Sequence, residues 1–341
     1  MNDLERYSRA ILLPEIGRAG QERLLSSAVA VIGCGALGTV IASSLVRAGV
    51  GRVKIADRDY IELNNLQRQV LFDEDDIAKG RPKAIAAAEK LRRVNSQIQV
   101  EPLVVDVNPG NVEAIIGDAD LVLDGTDNFE TRFLINDACV KLGIPWVYGA
   151  VIGVSGMTMT IVPHKTPCFR CFLSEVPAPG SVPTCDTVGV LGPAASIVAS
   201  LQVIQGLKLL LGQEHEAQGE LVYVEAWALS TERMQVGKGS TPCPACDLGQ
   251  FDFLEAAEGS HAIALCGRDA VQIHQLGKKA VSFPELATRL QSAGEVSYNQ
   301  YMLQLKVDSY ELTVFPDGRA IVQGTADEGL ARAIYARYVG Q

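Results

Sequence analysis

Four groups of residues have the types and spacing to do chemistry. The first is Gly33-Cys34-Gly35-Ala36-Leu37-Gly38, which follows the apolar run AVAVI, with Asp57 about twenty residues further on. Glycines at these intervals let a backbone approach a phosphate, and the helix they open offers unpaired N–H groups. An acidic residue at that distance suits a ribose hydroxyl. The pattern serves mononucleotides and dinucleotides alike, and a tight turn without a ligand would use the same glycines. It is not a P-loop, because Thr39 follows Gly38 and no lysine is present.

The second group is cationic. Asn64-Asn65-Leu66-Gln67-Arg68-Gln69 and Gly80-Arg81-Pro82-Lys83 place an arginine and a lysine beyond the nucleotide half. Either alone reads as a solvated surface charge. A hydride-transfer enzyme has no need of them there, whereas a triphosphate must be neutralised before an anion can attack it. Together with Gly125-Thr126-Asp127-Asn128 after another apolar run, they point to a polyphosphate and metal site. Asp127 is preferred over Asp124 as the metal-linked carboxylate, although an N-cap for the helix from Phe129 would explain its position equally well.

Cysteines supply the other two groups. Cys168-Phe169-Arg170-Cys171 and Cys243-Pro244-Ala245-Cys246 have the spacing of thiolate pairs that hold one zinc tetrahedrally. Four sulfur ligands leave no position for a catalytic water, so the site is expected to be structural. Cys185 stands apart in SEVPAPGSVPTCDTVGVLGP, which reads as a loop. Cys34 and Cys139 read as buried small hydrophobes, and Cys266 has no assigned role.

The elements that must position these residues alternate. Apolar strand patterns at 28–33, 53–56, 98–106 and 120–125 alternate with helices expected from Ala36, near Arg81-Pro82-Lys83, near 109–117 and from Phe129. This spacing implies an α/β fold with a doubly wound, mainly parallel sheet. PWVYGA and SGMTMTIVP begin an antiparallel extension, completed by a long helix near 192–211 and the strands LVYVEAW and STERMQV. The expected domains are a nucleotide-binding unit at 1–248 that carries the cysteine pairs, an acidic linker at 249–260 and a small α/β module at 261–341.

The chain has 341 residues, 48% hydrophobic and 21% charged, with a formal charge of −10. That balance excludes wholesale disorder and a dedicated nucleic-acid binder. The polar start MNDLERYSRA has no secretory pattern, so a cytoplasmic location is expected. Val188 to Leu207 is long enough to span a membrane but reads as a buried helix, so no membrane partner is expected.

Arg6-Tyr7-Ser8-Arg9, GCGALG, Asp57, NNLQRQ, GRPK, GTDN and the two cysteine pairs, in this order, resemble the ThiF/MoeB/HesA enzymes. The resemblance covers about residues 4–248. It implies ATP-dependent adenylation of the C-terminal glycine of a ubiquitin-like sulfur-carrier protein. By matching motif, Gly33, Gly35, Ala36 and Gly38 form the nucleotide loop and Asp57 meets the ribose. Asn65, Arg68 and Lys83 match phosphate-binding positions, Asp127 the magnesium-linked carboxylate, with Asn128 beside it. Cys168, Cys171, Cys243 and Cys246 match a structural zinc site. Arg9 matches an arginine that reaches the ATP of the other subunit, which implies a homodimer. Cys185 matches a loop cysteine that in part of the family joins covalently to the carrier, and in other members is dispensable. In the latter case a separate sulfurtransferase takes over the adenylate. Thiamin, molybdopterin, tRNA-thiolation and other sulfur pathways all remain open. Two rival readings are an NAD-dependent oxidoreductase with a structural zinc and a non-enzymatic nucleotide-sensing scaffold. The first leaves Arg68, Lys83 and Asp127 without work; the second would dock a partner through residues 261–341.

Overall fold

The computed structural model describes residues 4–177, 182, 185–216, 219–255, 261–264, 269–274 and 281–340. The chain divides into two compact units. The larger comprises 1–183 and 189–256, and the smaller comprises 184–188 together with 257–341.

The larger unit carries strands β1 (Ala28–Ile32), β2 (Arg52–Ala56), β3 (Gln99–Leu103), β4 (Leu121–Asp124), β5 (Trp146–Ile152), β6 (Ser155–Ile161), β7 (Glu220–Glu225) and β8 (Ser230–Gln235). Its helices are α1 (Ser8–Ile11), α2 (Gly17–Ser26), α3 (Ala36–Ala48), α4 (Glu74–Ala78), α5 (Lys83–Val94), α6 (Val112–Ile116), α7 (Phe129–Leu142), α8 (Phe169–Phe172), α10 (Gly192–Leu210) and α11 (Asp252–Glu255). The one-turn α9 (Cys185–Val188) groups with the smaller unit.

The sheet runs β3-β2-β1-β4-β5-β6-β7-β8. The first five strands are parallel and the last three antiparallel. Strand order reverses between β1 and β4, the switch point outside whose carboxyl ends such sheets bind ligands. The β1 residues alternate between faces. Val29 and Val31 join Ile41, Leu45, Ala87, Leu91 and Val198 from α3, α5 and α10. Ala30 and Ile32 join Ile116, Phe133, Ile135 and Phe169 from α6, α7 and α8. Helices on both faces explain why these strands read as continuous apolar runs. Helix α10 is long and apolar enough to cross a membrane, but half of its apolar window is buried against the sheet.

The stretch 249–260, read above as a linker, needs correction in its first half. Phe251, Phe253 and Leu254 pack on the α7 side of the core, and the Phe253 ring lies 4.7 Å from that of Phe133. The acidic composition masked three apolar anchors.

The smaller unit is a six-stranded antiparallel sheet, β11-β12-β13-β14-β10-β9. Its strands are β9 (His261–Ala264), β10 (Ala270–His274), β11 (Glu295–Tyr298), β12 (Leu303–Val307), β13 (Tyr310–Val314) and β14 (Ala320–Gln323). Helices α12 (Phe283–Leu290) and α13 (Glu328–Tyr338) pack with Leu303, Leu305, Leu312, Val314 and Val322 in one core. Strand β11 is mostly exposed, and an edge strand with so little apolar content carries no clear period in the sequence.

Candidate functional site

The nucleotide loop is shaped by backbone contacts that only glycine permits. Gly33 has φ +89°, and a Cβ there would lie 2.5 Å from the Gly125 carbonyl oxygen. A Cβ on Gly38 would lie 2.0 Å from the Gly33 oxygen. The β1–α3 turn and the end of β4 are thus packed backbone to backbone at the switch point. Gly35 is the N-cap of α3 and has no side chain to cap it, which leaves first-turn amides, Ala36 among them, for a ligand. Asp57, at the end of β2, accepts from the Cys34 N–H at 2.6 Å and from the Asp59 N–H at 2.7 Å. Burial raises its carboxyl above the usual range and Lys83 pulls it back. Burial also pushes the Cys34 thiol far up, with Asp57 adding to the effect, so Cys34 is a packed wall and not a nucleophile.

A chain of charges runs outward from this loop. Lys83, 4% exposed at the start of α5, donates to Asp59 at 3.1 Å. Arg58 donates to Asp106 at 2.8 Å and lies 3.8 Å from Asp59. Burial opposes the Arg58 charge, but Asp106, Asp59 and Asp127 hold its guanidinium more firmly protonated than usual. Asn65 is fully buried. Its Oδ1 accepts from the Glu62 N–H, and its Nδ2 donates to Asn64. Arg68 is half-buried, donates to the Asn64 carbonyl and packs against Gly192 at the start of α10.

The two acids after β4 take different places. Asp124 is buried and accepts from the Thr126 N–H and hydroxyl, from Arg132 at 3.3 Å and from the Gly149 N–H. Burial pushes its carboxyl up against the pull of Arg132. It holds the Gly125–Thr126 turn and has no lone pairs to spare for a metal. Asp127 is exposed. The N-cap of α7 is neither of them: Asn128 accepts from the Thr131 N–H at 2.9 Å. The capping explanation offered for Asp127 therefore belongs to its neighbour.

Cys168, Cys171, Cys243 and Cys246 converge with all four sulfurs within 4.8 Å of one another. Sulfur separations of 3.9, 3.6 and 3.5 Å bracket the roughly 3.8 Å expected for four thiolates around a zinc with 2.3 Å bonds. The donor set fits zinc. A hydrogen bond with Cys171 and burial raise the Cys168 thiol, and burial pushes Cys246 up to about 12, as expected of sulfurs that a cation would deprotonate. Arg170, inside the first pair, bonds Asp137 of α7 and Asp252 of α11 and ties the cluster to both helices.

Arg9 is exposed on α1 and has no hydrogen bond or ion pair among the described residues. Cys185, half-buried, opens α9 in the other unit. The structure thus gathers the glycine loop, Asp57, Lys83 and the Asp127 turn around one switch point, and leaves Arg9 without a hydrogen bond to any of them. Cys266 lies outside the described residues.

Residues 7–245 match the ThiF family. The chain belongs to the ThiF family. It is 45% identical over 339 residues to the sulfur carrier protein ThiS adenylyltransferase of Bacillus subtilis, covering 98% of this chain and 99% of that one. It is 41% identical to the SAMP-activating enzyme E1 of Haloferax volcanii, over 74% of this chain and 92% of the relative. Among solved structures, Escherichia coli MccB aligns with a TM-score of 0.61 at 23% identity, over 71% of this chain and 75% of that one, which supports the fold alone.

Sequence reasoning about this ThiF-family chain missed Arg58, Asp59 and Asp106. The alternation Asp57-Arg58-Asp59 at a strand end was a usable signal for the first two. Asp106 was not legible, since its partner lies 48 residues away.

Proposed function

We propose that the chain is an ATP-dependent adenylyltransferase acting on the C-terminal carboxylate of a ubiquitin-like sulfur-carrier protein. The observation that carries this reading is Lys83. It is a buried cation joined through Asp59 and Asp57 to the amide of Cys34 in the nucleotide loop. A nicotinamide enzyme has no use for a buried ammonium two side chains from its phosphate loop; a nucleotide whose phosphates accumulate charge during bond cleavage does.

A carboxylate of the carrier is already ionised at neutral pH, so no general base is required. Its oxygen attacks the α-phosphorus, the bond from that phosphorus to the bridging oxygen breaks, and pyrophosphate leaves with the electron pair. The glycine loop and the α3 N-terminus hold phosphate oxygens, Asp57 holds the ribose, and Lys83 and Arg68 neutralise developing charge. A magnesium ion, when bound, would supply further neutralisation, and the exposed Asp127 is the residue to hold it. Zinc at the four cysteines would brace the fold.

The carrier is of the ThiS type. This rests on extent of likeness: the Bacillus relative matches nearly end to end, second unit included, whereas the Haloferax relative matches 74% of this chain. Arg9 serves the nucleotide site of a second copy in a homodimer. Support comes from Arg6 and Tyr7 just before it, which are tied to the far ends of α3 and α5, helices that begin at the nucleotide loop and at Lys83. Cys185 is the candidate for a covalent adduct with the carrier, and if it has no such role a separate sulfurtransferase receives the adenylate.

Pyrophosphate-dependent label exchange into ATP tests the main reading. Exchange with a ThiS-type carrier and none without it is expected; NAD reduction without exchange would refute it. Cys185→Ala should keep exchange within a few-fold and abolish any carrier-sized mass shift.

A further inference from the structure

Arg9 sits two residues beyond a buried knot. Tyr7 is 3% exposed and Asn95 fully buried. Asn95 Nδ2 donates to the Tyr7 hydroxyl at 2.8 Å and to the Val46 carbonyl at 3.0 Å, while its Oδ1 accepts from the Gln97 N–H. The Tyr7 ring lies against Gly49, where a Cβ would come within 2.6 Å of the ring carbons. Gly49 has φ +86° and ends α3, so the position is closed to other residues on two counts. Gln21, also fully buried, donates to the Ala48 carbonyl, and Arg6 donates to the Val94 carbonyl at 2.9 Å.

These partners share a location. Val46, Ala48 and Gly49 are the C-terminal end of α3, and Val94 and Asn95 the C-terminal end of α5. Both helices begin at the nucleotide site, α3 in the glycine loop and α5 at Lys83. At 13 and 12 residues each spans roughly 18–20 Å. Two residues of even fully extended chain add about 7 Å, and one arginine side chain does not cover the remainder. Arg9 is therefore fastened away from the nucleotide loop of its own chain. Past the knot the arm is uncovered: Leu12 is 72% and Leu13 51% exposed.

We propose that Tyr7 and Asn95 are positioning residues that aim Arg9 at the nucleotide of a second copy of this chain. The proposal rests on the reading that Arg9 acts across a dimer, and adds what sets its aim. The knot ties the arm to the two helices that carry the nucleotide loop and Lys83, so the arm lent to the partner moves as one body with the site of its own chain. A hydroxyl and an amide buried together, with every polar atom of Asn95 used, make one geometry far cheaper than its alternatives. Misplacement of a group by about 1 Å can cost on the order of 10²-fold in rate.

The test uses the full chain, pyrophosphate exchange and mixed dimers. Tyr7→Ala and Tyr7→Phe are both made; the second keeps the ring and deletes only the hydroxyl that accepts from Asn95. Each should lower kcat, by about 10²-fold for Ala and several-fold for Phe, with KM for ATP within about threefold, since ground-state nucleotide contacts stay in place. Co-expression with Asp127→Asn is the decisive arm. In a mixed dimer, the intact nucleotide site of the Tyr7 variant receives the intact arm of the Asp127 variant. With random pairing about a quarter of wild-type activity should return. A Tyr7 variant whose own fold had failed would have no sound site to complement. If Arg9→Ala with Asp127→Asn recovers activity and Tyr7→Ala with Asp127→Asn does not, the positioning role is overturned while the dimer reading stands. If neither pair recovers, the action of Arg9 across a dimer is itself refuted. Unchanged kcat in both Tyr7 variants would also overturn the proposal.

Discussion

Two glycines of one fingerprint should behave oppositely when replaced by alanine, and the structure says how. At Gly38 the added Cβ would meet the Gly33 carbonyl oxygen at 2.0 Å, about 1.5 Å inside ordinary van der Waals separation. The obstacle is backbone, and Gly33 is itself packed on Gly125, whose oxygen lies 2.5 Å from where a Gly33 Cβ would be, so neither side can give. Overpacking of this kind costs about 1–3 kcal/mol, against a gain of roughly 1 kcal/mol from alanine in a helix. At Gly35 the nearest atom to a new Cβ is Gln69 Nε2 at 3.9 Å, and φ is −90°. The fold therefore tolerates Gly35→Ala, at under about 1 kcal/mol for a less favourable N-cap. What that Cβ obstructs is the approach of a phosphate to the α3 amides. Melting without nucleotide and calorimetric titration with ATP separate the two effects. Gly38→Ala should lower Tm by several degrees and weaken ATP binding. Gly35→Ala should leave Tm within about 2 °C and weaken ATP binding at least tenfold. Equal Tm losses in both variants, or undiminished ATP affinity in Gly35→Ala, would show the reasoning to be wrong.

Other expectations follow from single contacts. Asp127→Asn, exposed and nearly isosteric, should keep Tm and most ATP affinity while carrier-dependent exchange falls by orders of magnitude; near-wild-type exchange would remove Asp127 from the mechanism. Cys243→Ser should lower zinc content and Tm together, and less than half an equivalent of zinc in fresh wild-type protein would count against the site. Asp118 is held below the usual carboxylate range by hydrogen bonds from Lys54 and Arg52. A depressed folded-state value gives stability that is present above the ordinary carboxylate range and lost as pH falls through the folded value. Asp118→Asn should thus lower Tm at pH 7 by about 1–3 °C, a small effect because the side chain is half exposed, and converge on wild type as pH falls through the depressed folded value. A difference that persists in acid would refute that account.

Much of the catalytic half was legible in the order of residues. Short β-branched runs such as AVAVI, each followed by a helix signal, yield parallel strands with helices on both faces, because that arrangement alone buries both sides. The glycine loop, Asp57 and the cysteine pairs were legible because their chemistry depends on local spacing. Other features depend on which distant segments meet, and only the tertiary structure decided them. Asp124 and Asp127 stand three residues apart with the same side chain. Burial against Arg132 and Gly149 commits one to holding its turn and leaves the other exposed. Arg58 finds Asp106 across two strands, and Phe251 and Phe253 turn an acidic stretch into part of the α7 core. The Tyr7–Asn95 bond joins residues 88 apart at the far ends of α3 and α5, where helix length alone puts Arg9 out of reach of its own nucleotide loop. Sequence spacing reports chemistry done by neighbours. The direction in which a side chain is carried is set by packing between elements, and no local pattern encodes it.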